Sequence, residues 1–445
     1  MNAIPQPEAD AHAAPSGRGP SAVQQRGMRA VIIGQMVGNL GSLAFSNGIL
    51  LLFLAKVGFG GASALLLLAL PSIIQPLLIL PLAHLAERSH RRMMMRGFAL
   101  STVGFLLLST LGWGGWHGRS VLVPVVSGIV IYALGVSMST ASWYALLDPL
   151  VPRHMRGSFF GTLRLSWRFY GFAFGIVCTF LLGLGGGVRP LELILILITI
   201  GMAARVLLMR QVPDAPTPPE GQPGLLEALS QVARIPGYAG FCCYVFLLTL
   251  VTDNAVTLLP LIERDSVGFS DTAVVWMGSI LGIGSVVSFY FCGKLVDRIG
   301  TRPVFLLCHG CFAALFFAVL LRGCSPLSSL WWMGIQNLLY GIAGAGVSVA
   351  VSTEMLALVP AHNKGLSTGL CSTLQLAGAG LSGLLGAGAI KLGILSGHWQ
   401  LGRTTLSAYD TLILGDAVLV VLLVVTLGLV PSVMAARSRP AQGPT

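Results

Sequence analysis

Long apolar stretches, almost free of charge, recur along this chain and are separated by short polar joints. About 20 apolar residues at 1.5 Å each cross a hydrocarbon core of ~30 Å. Twelve such stretches are read here, at 28–55, 61–83, 95–114, 121–147, 157–183, 190–211, 238–261, 272–295, 302–322, 328–355, 365–391 and 408–434. Lipid cannot satisfy an open backbone, so each is expected to be a helix and the whole an all-α polytopic membrane protein. A polar, Pro-rich linker at 212–237 divides them into six-helix bundles at 28–211 and 238–434. The N-terminal residues 1–27 have no apolar core and are expected to be disordered, with a short tail at 435–445.

The two bundles repeat each other. Between the second and third stretches the chain reads Ala83-His84-Leu85-Ala86-Glu87-Arg88-Ser89-His90-Arg91-Arg92, and between the eighth and ninth Gly293-Lys294-Leu295-Val296-Asp297-Arg298-Ile299-Gly300-Thr301-Arg302. Glu87 meets Asp297, Arg88 meets Arg298 and Arg92 meets Arg302, each 210 residues on. A second pair aligns without gaps at an offset of 208: Tyr132, Leu150, Val151, Pro152, His154, Gly157 and Gly161 meet Tyr340, Leu358, Val359, Pro360, His362, Gly365 and Gly369, while Arg156 meets Lys364.

Gly293-x-Leu295-x-Asp297-Arg298-x-Gly300-x-Arg302 resembles the signature loop of the major facilitator superfamily. The Pro-x-x-x-[Arg/Lys]-Gly pattern opening the fifth and eleventh stretches is similar to another motif of that family. The resemblance implies two pseudo-symmetric six-helix bundles around a central cavity, working by alternating access. The first-half loop departs from the pattern at Ala83, Glu87 and His90, where the family carries Gly, Asp and Gly. In the fifth stretch Gly171-x-x-x-Gly175 resembles part of the family's drug-efflux antiporter signature, but the Gly-Pro element is absent, which weakens a reading as proton-driven efflux.

Composition narrows the class further, with 54% of the 445 residues apolar and 10% charged, which excludes a soluble globular protein. The net charge of +11 is a topogenic signal rather than a nucleic-acid surface. Of 27 Lys and Arg, 17 fall in loops or at stretch ends on one side, 7 on the other and three deeper within the stretches. The positive-inside rule therefore places both termini in the cytoplasm, with the protein multi-pass in the cytoplasmic (inner) membrane. The eight cysteines lie almost entirely in apolar stretches and read as packing residues, the Cys308-x-x-Cys311 pair included, so no disulfide framework, metal site or cofactor is expected. No phosphate-binding Gly-Lys-Ser/Thr loop, His-Glu-x-x-His or Gly-x-Ser-x-Gly occurs, which argues against an enzyme and against ATP-driven transport.

Charged and polar residues then mark candidate sites. Glu87, Arg88, Arg92, Asp297, Arg298 and Arg302 form two loops able to hold helix ends together as gates, with Asp148 and Glu354 as partners for the loop arginines of their own halves. The alternative for the arginines is lipid-headgroup anchoring. Ionisable residues deep in a membrane are costly and mark function, so Arg168, with Arg164 one turn below it, is a candidate for an anionic solute group. Asp253 and Asp416 are candidate ion carriers. Gln35 and Asn39 share a helix face, and Gln336, Gln375, Trp143 and Trp167 complete a candidate solute site. The expectation is a monomeric secondary active transporter of a small organic solute, coupled to a proton or another ion. The alternatives are a membrane-embedded enzyme acting on lipid-linked substrates, and a non-transporting sensor or scaffold.

Overall fold

The computed structural model describes residues 20–46, 49–59, 61–111, 121–183, 188–214, 224–235, 237–269, 271–359, 364–395, 399–401 and 404–429. The first apolar stretch becomes α1 (Ala22–Gly38), α2 (Leu40–Ser46) and α3 (Ile49–Lys56), interrupted at Asn39. A capping box starts α1: Ser21 Oγ accepts from the Gln24 N–H at 3.2 Å, and the Gln24 side chain accepts from the Ser21 N–H at 3.0 Å. Residues 22–27, expected to be disordered, are therefore helical, because this local cap outweighs their polar composition. Residues 1–19 and the tail at 435–445 lie outside the described residues.

The first bundle is completed by α4 (Gly61–Ala86), α5 (His90–Ser109), α6 (Leu122–Leu147), α7 (Arg156–Gly183) and α8 (Arg189–Met209). The linker holds a short amphipathic helix, α9 (Leu225–Ala233), which turns Ala228 and Val232 inward. The second bundle comprises α10 (Tyr238–Leu261), α11 (Asp271–Ile299), α12 (Thr301–Leu320), α13 (Ser329–Leu358), α14 (Lys364–Lys391) and α15 (Ala408–Leu429). Between α14 and α15 the strands β1 (Trp399–Leu401) and β2 (Thr404–Leu406) pair antiparallel. Among the described residues, eleven helical stretches are long and apolar enough to cross a bilayer. The described helix α5 carries Arg91, Arg92 and Arg96 in its first two turns, which dilutes its hydropathy, yet it packs along α6 as a full member of the bundle.

Across the pseudo-symmetry axis α4 packs on α14 and α7 packs on α11, an equivalent pair of contacts. The end of the molecule carrying Arg88, Arg92, Arg298 and Arg302 is here called the basic end. There the halves share one apolar core, in which Met28, Ala83, Met94, Phe98, Leu146 and Phe160 of the first half join Phe241, Val296, Phe305 and Leu366 of the second. Toward the opposite end the first half has a separate core, built around Phe53, Phe105, Ile129 and Leu195. One fused core at the basic end and a separate one beyond it mean that the halves are joined at the basic end.

A sealed basic end beneath a polar cavity

Helix N-termini present backbone N–H groups that the first turn cannot satisfy, together with a partial positive charge. Asp297 and Glu87, the acids of the two repeated loops, use this. Asp297, at the end of α11, accepts hydrogen bonds from the N–H groups of Gly157 and Ser158 at the start of α7, each at 2.8 Å. Glu87, at the end of α4, accepts from the N–H of Leu366 at the start of α14, at 3.0 Å. Each acid thus caps a helix of the other half. The approach needs glycine: a Cβ on Gly161 would lie 2.5 Å from the Phe289 carbonyl, and one on Gly369 would lie 2.8 Å from Ala83 Cβ.

A second layer surrounds the caps. The Asp148 carboxylate binds both Arg156 and Lys364, residues equivalent by the offset of 208. Arg156 also donates to the Leu356 carbonyl at 2.6 Å. Above it, Arg164 donates to Ser352 Oγ at 2.7 Å, and the Tyr144 hydroxyl lies 3.1 Å from the same atom. Asp148 thus pairs with Arg156 and Lys364 rather than with the loop arginines of its own half. Glu354 accepts from the Thr301 hydroxyl. Arg88, Arg92 and Arg298 are exposed at the rim and Arg302 is half-buried. Solvent and headgroups satisfy rim guanidinium groups, whereas the acids lie inward among helix termini that only an acceptor can complete.

Beyond this seal lies a cavity of about 280 Å³. It is lined by Gln35, Asn39 and Ser42 of the first span, Gln75 of α4, Phe98 of α5, Tyr132, Ser139, Thr140, Trp143 and Tyr144 of α6, Trp167 of α7, Arg205 of α8, and Ser372 and Gln375 of α14. Gln35, Asn39, Trp143, Trp167 and Gln375 therefore line one cavity. Other candidates lie elsewhere. Arg164 belongs to the seal. Arg168, one residue after Trp167, is rotated by about 100° to an exposed face of α7 and does not line the cavity. Gln336 is buried in the second half, beside Asn337, whose amide donates to the buried Glu263 at 2.6 Å. Asp253 is exposed on α10 and Asp416 is buried on α15, neither at the cavity wall.

Sequence reasoning does not single out Arg205, Gln75 or Tyr132. Arg205 lies near the end of the stretch 190–211, where a basic side chain ordinarily reaches for headgroups. In the structure it is 7% exposed and points inward, its guanidinium carbon 4.0 Å from the Phe98 ring centre. Gly38 makes room for it, since a Cβ there would overlap the Arg205 side chain. The Tyr132 hydroxyl lies 3.3 Å from Ser42 Oγ. At offsets of 208 and 210 the equivalent Tyr340 hydroxyl donates to the Thr252 carbonyl at 2.6 Å. The Cys308-x-x-Cys311 pair has one buried and one half-buried thiol, and among the described residues no group of three or more His, Cys, Asp and Glu could hold a metal ion.

Comparison with solved structures identifies transporters of the same fold. The chain superposes on a bacterial homologue of the iron transporter ferroportin in an outward-facing state with a TM-score of 0.72 and 15% identity, over 91% of this chain and 98% of that one. It superposes on the transporter FucP in the outward conformation with a TM-score of 0.71 and 11% identity, over 92% of this chain and 98% of the other. In sequence, the chain is 24% identical over 311 residues to the bacteriochlorophyll synthase 44.5 kDa chain of Rhodobacter capsulatus, covering 64% of this chain and 67% of that protein. The sequence profile of the Major Facilitator Superfamily matches residues 31–383, through both gate loops and every cavity residue named above, and the chain belongs to that superfamily.

Proposed function

We propose that the protein is a secondary active transporter that moves a small organic solute across the cytoplasmic membrane by alternating access. The observation that carries this reading is a polar cavity lying directly against a seal whose acids cap helices of the opposite half. Rocking the halves would strip Asp297 and Glu87 from those N-termini and open the cavity toward the basic end. The 17-to-7 division of basic residues supports placing that end, and both termini, in the cytoplasm. Coupling to a proton is part of the proposal, with Asp253 and Asp416 as carriers in the second half, because intramembrane acids mark proton paths. The transporter works as a monomer and needs no cofactor.

The test is uptake or counterflow of a metabolite library by proteoliposomes, with and without an imposed proton gradient. At least one solute should move and respond to the gradient. If none moves in either condition the reading fails. If movement ignores the gradient, coupling alone fails.

A second reading is favoured by the likeness to the bacteriochlorophyll synthase chain, in which this protein would serve bacteriochlorophyll synthesis within the membrane. A purified chain that moves no solute yet accelerates a step of that synthesis in vitro would favour it.

A further inference from the structure

Among the described residues lining the cavity Arg205 is the only charged one, and none of them is an Asp or Glu. It makes neither a hydrogen bond nor an ion pair with any described residue, and its Nε is buried without a partner. The Phe98 ring compensates one face of the guanidinium and leaves its hydrogen-bonding edge unused. The two other arginines buried among the described residues meet carboxylates: Arg322 meets Asp410 through two bonds of 2.6 and 2.9 Å, and Arg156 meets Asp148, while the half-buried Arg164 donates to Ser352. A cation left unpaired inside a membrane protein has a partner that the chain itself does not supply. Gly38, where a side chain would displace the guanidinium, indicates a place built for it.

We propose that the cavity is a binding site for an organic monocarboxylate, with the carboxylate on Arg205 and the amides of Gln35 and Asn39, and the apolar body against Trp143 and Trp167. This names the solute class of the transporter proposed above and rests on that reading. A single guanidinium matches a single carboxylate in bidentate geometry, whereas a phosphate dianion would keep an uncompensated charge. The aromatic wall suits an apolar body rather than a fully hydrated ion.

The test is thermal unfolding of the purified protein in detergent with benzoate and indole-3-acetate, against benzamide, indole-3-acetamide, inorganic phosphate and phosphatidylglycerol. At least one carboxylate should raise Tm saturably while the amides and phosphate do not. Arg205→Gln should weaken that binding about tenfold or more, as loss of a charge-assisted pair does. Arg205→Lys should keep part of it, which separates lost binding from lost fold. Arg189→Gln, exposed at the far end of α8, should leave it unchanged. The proposal is overturned if no carboxylate stabilises the protein, if the amides act equally, if Arg205→Gln leaves the shift intact, or if only phosphatidylglycerol binds. Counterflow in proteoliposomes keeps the two proposals apart. Transport of some other solute without carboxylate binding removes the solute class alone. Arg205-dependent carboxylate binding without movement of any solute removes the transporter reading and leaves the site.

Discussion

The two halves of this protein share a frame and differ in chemistry. At equivalent positions Glu87 and Asp297 cap α14 and α7, Gly157 and Gly365 let the halves approach, and Tyr132 and Tyr340 hold the first helix of each half. Asp148 has no such counterpart: at the offset of 208 stands Leu356, whose carbonyl serves Arg156 instead. Arg205 faces the cavity in the first half, where its equivalents at 208 and 210 are Ile413 and Gly415. Among the described residues the buried acids are Glu87 and Glu192 in the first half and Glu263, Glu354, Asp410 and Asp416 in the second. What repeats is what joins the two halves at the basic end. What does not repeat either bridges the halves, as Asp148 does, or faces the cavity, as Arg205 does.

The largest test of this division is Asp148→Asn. One acid neutralises two basic residues here, and Arg156 is 4% exposed, so removal leaves a buried guanidinium uncompensated. The closed basic end should lose about 3 kcal/mol, in the range for breaking a buried pair from one side. Hydrogen exchange at the Ser158 and Leu366 amides, which Asp297 and Glu87 cap, should then speed up by roughly a hundredfold on both sides of the axis. Acceleration confined to one of the two amides would mean that Asp148 serves one half rather than joining them.

Glycine at the helix crossings gives a smaller and more discriminating test. At Gly157 a Cβ would meet the Gly293 carbonyl, which is backbone and cannot move aside. At Gly365 it would meet His90 Cε1 at 2.6 Å and Glu87 Oε1 at 3.0 Å, both on side chains that can shift. Gly157→Ala should therefore cost about 2 kcal/mol of the closed state and Gly365→Ala about half of that, by the usual scale of overpacking. Amide exchange at Ser158 and Leu366 reads both. Equal costs would mean that the departures at Ala83, Glu87 and His90 do not loosen the first-half gate.

The same contrast explains what was legible in the sequence. The frame was legible because duplication writes it twice: the offsets of 210 and 208 point to Glu87, Asp297, Gly157 and Gly365 without any coordinates. The cavity was half legible. Gln35 and Asn39 fall on one face by helical spacing, and Gln375 and Trp167 follow from deep polar or aromatic placement, and all line the cavity. Arg168 shows the limit, since depth alone cannot say which way a residue points, and one step along α7 separates the cavity wall at Trp167 from the exposed face. Arg205 was obscured for the opposite reason. Four residues from the end of α8 it looks like a side chain reaching for headgroups, and only the packing of α8 against α1, at Gly38, turns it inward. The cross-half partner of Asp148 was also out of reach, because Lys364 lies 216 residues away in the other half.

The repeated tyrosines give the finest test, because their chemistry is identical and only the acceptor differs. Tyr340 is buried and donates to a backbone carbonyl, that of Thr252, within α10. Tyr132 meets the hydroxyl of Ser42, which is exposed and can turn elsewhere. Replacing either by Phe removes one hydroxyl and little volume, so the difference should report the orphaned acceptor. Tyr340→Phe should cost about 1 kcal/mol and Tyr132→Phe only a few tenths, read as the shift in unfolding free energy in detergent. Because Tyr132 lines the cavity and Tyr340 does not, only Tyr132→Phe should also alter ligand-induced stabilisation. If Tyr340→Phe changed it equally, the second half would contribute directly to solute binding, and the division between a shared frame and a one-sided site would have to be redrawn.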